Sequence, residues 1–119
     1  MTFVLTLEAV KTAAREAYAK GELGFQKGEE RCLYRGDSGA PCAVGAALPE
    51  EVVNKITAAG RNWKSVSSLA REGFVSVPDE ELDDVVRIQR AHDDIILQRY
   101  SSLRREELVG RFKSLIGAE

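Results

Sequence analysis

Long apolar runs are missing from this sequence. Nowhere does one approach the roughly 18–20 residues that a membrane helix needs, so no membrane partner is expected. An excess of positive charge is missing too: 17 Lys+Arg stand against 19 Asp+Glu, a formal net charge of −2. Proteins that coat nucleic acid draw affinity from many phosphate contacts, so direct nucleic-acid binding is not expected. Met1–Leu7 carries neither a basic n-region nor a small-residue cleavage site, which reads as a cytoplasmic chain with no secretory signal. Neither a Gly-x-x-x-x-Gly-Lys loop nor a Gly-x-Gly-x-x-Gly fingerprint is present, so nucleotide binding has no support and no cofactor is expected. Cysteine is scarce. Cys32 and Cys42 read as free thiols in a reducing compartment, although a bridge across a hairpin is geometrically possible. Repeats, low-complexity stretches and linkers are absent, and a length of 119 residues suits a single domain over 1–119 with one core.

What is present is a set of amphipathic segments with clear punctuation. Thr6 can cap a helix over about 6–20, where Leu7, Val10, Ala14, Ala17 and Tyr18 recur at helical spacing and Gly21 offers a left-handed stop. Thr2–Leu5 before it reads as extended. Residues 31–47 differ. Cys32–Arg35 is strand-like and Gly36–Gly39 is a turn. Pro41–Leu48 reads either as a second strand closing a hairpin or as a short helix. Pro49 opens a helix to about Ala59, with Glu50 and Glu51 in the first turn and Gly60 at its end. A shorter helix over about 66–72 has Ser65 as cap and Gly73 as stop, and Phe74–Val77 follows as a strand or extended plug. The longest helix should run from about Pro78 to Tyr100, its first turn loaded with Asp79, Glu80 and Glu81. Ser101 or Ser102 should cap a final helix to about Ile116, with Gly117 as its end.

The long helix carries a conflict. At about 100° per residue, Leu82, Val85, Val86, Ile88, Ile95 and Ile96 define one apolar arc. Gln89 and Asp93 fall about 20° either side of Leu82, and His92 about 20° from Val85, all inside that arc. Buried polar groups need partners, because each one left unpaired costs about 1–3 kcal/mol. A core network is one outcome, with Gln89 and His92 bonding the backbone of the 31–48 segment. A reactive centre is the alternative: Cys42 as nucleophile with a lowered pKa, His92 as base, Asp93 or Gln89 orienting the ring, and Arg35 as an anion clamp. Asp93 weakens that arrangement, since it follows His92 directly and points about 100° away from it. Cys32, Cys42, His92 and Asp93 are also four conceivable metal ligands, but their spacing lacks the close pairs of zinc sites, and no metal is expected. The acidic block at 79–84 reads as a solvated helix start rather than a mimic of nucleic-acid phosphates. Arg35-Gly36-Asp37 is an ordinary turn. Trp63, between Arg61 and Lys64, is either core or the exposed anchor of a partner site.

The string Cys32-x-Tyr34-Arg35, Gly39-x-x-Cys42-Ala43-Val44-Gly45 and Pro49-Glu50, with Gln89-x-x-His92-Asp93 later, resembles small uncharacterised phage and prophage proteins. The family pattern has an Ile-Pro-Asp step where this chain has Leu48-Pro49-Glu50, and a Leu where it has Ile88. The resemblance implies no particular activity. It implies a setting in which small proteins bind and block host machinery, bacterial defence systems included. The expected fold is α+β and mostly α, with about five helices around a small β-hairpin that packs on the Gln89/His92 face. The expected function is binding to a host protein or protein complex as a cytoplasmic regulator or inhibitor, with Tyr34, Arg35 and Trp63 at the contact. A thiol-dependent hydrolase or transferase is the alternative.

Overall fold

The computed structural model describes residues 2–29, 33–35, 39–97 and 104–118. Among these the chain is mostly α, with a very small β element. The elements are β1 (Phe3–Val4), α1 (Leu7–Ala19), a 3-10 turn (Gly45–Ala47), α2 (Glu50–Ala58), α3 (Val66–Arg71), β2 (Val75–Ser76), α4 (Asp79–Leu97) and α5 (Arg105–Ile116).

The local signals act where expected. Thr6 Oγ1 accepts the N–H of Ala9 at 3.1 Å and opens α1. Ser65 Oγ accepts the N–H of Ser68 at 3.2 Å and opens α3. Gly117 closes α5 at a φ of 76°, a left-handed angle that a side chain would strain. The start of α5 differs from expectation. Its cap is Arg104, which makes no side-chain capping bond, and Ser101 and Ser102 lie outside the described residues.

Two further differences concern the β structure. Among the described residues the hairpin reduces to one antiparallel bridge between Arg35 and Pro41. Beyond Pro41, which has no N–H to extend a ladder, the chain bends into the 3-10 turn instead of a second strand. The sheet forms elsewhere: β1 and β2 pair in parallel, Phe3 with Val75 and Val4 with Ser76. The Leu5 N–H donates to the Ser76 carbonyl at 2.8 Å and continues the pairing.

α4 is the organising element. It packs on α5, α1 and α3, while the 3-10 turn packs on α1. Its acidic first turn does more than stabilise its own N-terminus, because Glu81 Oε1 accepts the N–H of Leu7 at 2.7 Å and so caps α1 as well. Arg15 of α1 donates to the Ile116 carbonyl at 2.8 Å, and Arg105 of α5 donates to the Phe25 carbonyl at 2.8 Å. These contacts tie both ends of α5 to the first third of the chain. No described helix is long and apolar enough to cross a membrane.

Candidate functional site

The buried side of α4 holds the polar residues that the helical wheel singles out. His92 has no exposed surface, and it is the one buried residue outside the apolar set among the described residues. Gln89 and Asp93 are half-buried beside it.

Their bonds form a chain that starts in the segment carrying Cys42. The Val44 N–H donates to Gln89 Oε1 at 2.9 Å. Gln89 Nε2 donates to Asp93 Oδ1 at 2.9 Å. The same oxygen lies 3.3 Å from His92 Nδ1, so Asp93 does reach the ring that directly precedes it, against the expectation from side-chain directions. A carboxylate only accepts, which places the imidazole proton on Nδ1. His92 Nε2 is buried without a hydrogen-bond partner.

The rest of the ring sits among aromatics. Phe25 and Phe112 meet it edge-on, with centroids 5.4 and 5.8 Å away. Such edge-to-face pairs contribute about 0.5–1.5 kcal/mol beyond their buried area. His92 therefore behaves as a core aromatic with one polar handle. Gln89 bonds the 33–48 backbone as expected; His92 bonds Asp93 instead.

Cys42 is a free thiol with 1 % of its surface exposed. Its Sγ accepts the N–H of Gly45 at 3.2 Å. The expectation of a lowered thiol pKa is reversed. Burial, aided by the negative charge of Asp93, pushes Cys42 from its ordinary value of 9.0 up to about 12, outweighing the hydrogen bonds from Gly45, Gln89 and Val44 that act the other way. A nucleophilic thiol needs a thiolate and access to substrate, and this sulfur is protonated near neutrality and sealed.

Gly45 explains why the Cys-Ala-Val-Gly segment ends as it does. A Cβ there would collide with the carbonyl of Tyr34 and stand 3.2 Å from Cys42 Sγ. The 3-10 turn thus sits directly against the backbone of the preceding segment, at a distance only glycine permits. The motif joins residues 42–45 to Tyr34, and its Val44 N–H links that joint to α4 through Gln89.

Tyr34 and Trp63 divide the expected contact surface. Tyr34 is 3 % exposed, so it is no surface contact. Its N–H donates to Asn62 Oδ1 at 3.1 Å, and its hydroxyl donates to the Lys64 carbonyl at 2.6 Å. Burial raises its hydroxyl pKa. Both bonds hold the loop whose middle residue is Trp63, which is 65 % exposed. Lys64 Nζ lies 4.4 Å from the Trp63 ring centroid, and Arg61 is drawn off to Glu72 at 2.7 Å. Arg35 is half-buried at its bridge with Pro41, and its Nε is buried without a hydrogen-bond partner.

Cys32 and the Gly36–Ser38 turn lie outside the described residues. Among the described residues no three His, Cys, Asp or Glu side chains gather to hold a metal ion. Sequence reasoning missed Gly45 as a contact, Tyr34 as the clamp of the Trp63 loop, and Phe25 and Phe112 as the walls around His92. A glycine four residues before a proline carries no signal of its own, and the aromatics come from distant helices and loops. Comparison with protein-family models, curated proteins and solved structures gives no significant match.

Proposed function

We propose that this chain is a small cytoplasmic regulatory protein that binds a host protein, and that it is a phage-derived inhibitor of a bacterial defence system. The observation that carries the reading is the Trp63 loop. A large aromatic is held out in solvent while the Asn62 side chain before it and the Lys64 carbonyl after it are bonded to buried Tyr34. Tryptophan is enriched at the energetic centres of protein interfaces, and a loop already fixed in shape loses little entropy on binding. The resemblance to phage proteins supplies the setting. The thiol-enzyme alternative draws no comparable support, since Cys42 and His92 face the core.

The test is affinity capture from a bacterial lysate with the wild-type chain beside Trp63→Ala, followed by phage plating on strains carrying defined defence systems. The expected outcome is one host protein retained in stoichiometric amount by the wild type and lost with Trp63→Ala, together with restored phage growth. Absence of both the retained protein and any defence phenotype refutes the reading.

A further inference from the structure

The outward side of α4 and the adjoining side of α5 enclose a half-open groove of about 450 Å³ that Gln89, His92 and Asp93 do not line. Its α4 wall is Arg87, Arg90, Ala91 and Asp94, spaced i, i+3, i+4 and i+7. That spacing is one continuous stripe of two turns, about 10.5 Å long. Ala91, Leu108 and Leu115 give the groove an apolar floor, and Arg111 joins the two arginines of α4 around it.

The charge here runs against the rest of the molecule. In a chain of net charge −2, three arginines line one apolar surface. Arg87 pairs with Asp84 at 3.3 Å in an exposed i,i+3 contact, which is worth little in water. Among the described residues, Arg90 and Arg111 have no ion-pair partner. Asp94 stands in the same groove, one turn beyond Arg90.

We infer that this groove binds a small, soluble amphipathic monocarboxylate, with the carboxylate held among Arg87, Arg90 and Arg111 and the apolar body on Ala91, Leu108 and Leu115. Guanidinium forks match a carboxylate in a two-bond geometry that ammonium groups do not. The volume lies within the roughly 300–1,000 Å³ of small-ligand sites, which combine an apolar lining with a few placed polar groups. The two-turn length sets the scale of the apolar body at a medium acyl chain.

The experiment is a titration of the full ¹⁵N-labelled chain with octanoate and laurate, with 1-octanol as the uncharged control. The expected result is saturable shifts confined to residues 87–94 and 108–115, with a Kd below about 100 µM for at least one acid and about tenfold weaker binding of the alcohol. Arg90→Ala and Arg111→Ala should each weaken the acid about tenfold and leave the alcohol unchanged. Both side chains are exposed, so both variants should keep the wild-type spectrum elsewhere. Lack of saturation with both acids, equal affinity for acid and alcohol, or indifference to the arginine substitutions each overturns the assignment. Capture of a host protein through Trp63 is independent of every one of these results.

Discussion

The two sides of α4 use polar residues in opposite ways. On the inner side, Gln89 and Asp93 spend their hydrogen bonds on one another, on Val44 and on His92. On the outer side, Arg90 and Arg111 face a groove with no ion-pair partner among the described residues. The inner set fixes where the 33–48 segment docks, because only one register brings the Val44 N–H to Gln89. The outer set contributes nothing to that docking. A buried imidazole beside a cysteine looks like catalytic machinery when written as a motif. In the fold those residues are closed in, and the groups free to meet a ligand are the arginines and the tryptophan that the motif leaves out.

The comparison can be broken most forcefully at Gly45. Gly45→Ala forces a methyl into the Tyr34 carbonyl, where neither backbone can yield without undoing the joint. The expected loss is about 3 kcal/mol or more, read as a lower urea midpoint. His92→Ala should cost about 2–3 kcal/mol by emptying a space between Phe25 and Phe112, whereas His92→Phe, which keeps the ring but adds volume, should cost less, about 1–2 kcal/mol. An imidazole that acted as a base would make the two variants equally defective in function; a packing role separates them in stability. Gln89→Leu leaves the Val44 N–H unpaired and removes a donor from Asp93, for an expected loss of about 2 kcal/mol.

The thiol sharpens the contrast through pH. Its pKa is about 12 in the fold against 9.0 ordinarily. The group is an acid with a raised value, so its contribution to stability is complete below pH 9 and is lost as pH rises toward 12. Between pH 9 and 10 the wild type should lose about 1 kcal/mol more than Cys42→Ala does, as followed by denaturation at each pH. A wild-type curve parallel to that of Cys42→Ala contradicts the burial argument. On the outer side the expected effect is smallest: Arg90→Ala should change stability by no more than about 0.5 kcal/mol, so any effect on ligand binding will stand clear of folding.

Much of the architecture is legible in the sequence, for local reasons. Thr6, Ser65 and Gly117 act through neighbours within a few residues, so the boundaries of α1 and α3 and the end of α5 follow from hydrogen bonds that a sequence displays. The conflict on the α4 wheel also follows, because burial of Gln89, His92 and Asp93 is a matter of periodicity alone. The chemistry of the site does not follow. Whether Cys42 is activated depends on how deeply it lies and on which charge faces it. Here Asp93 does, and that adds to the cost of a thiolate. The parallel β1–β2 pair is illegible for a similar reason, since two-residue strands carry no period and their partners lie far apart in sequence. The arginine groove needs α5 beside α4 before Arg111 means anything.

That parallel pair also sets a clock on the ribosome. Phe3 bonds beside Val75, and the Leu7 N–H waits for Glu81. At about 5–20 residues per second of synthesis, β1 waits about 4–15 seconds for its strand partner and α1 as long for its cap. Through that interval its apolar face, Val10 and Ala14 included, has no α4 to rest on. Slowing translation between α1 and α4 should therefore lower the soluble yield.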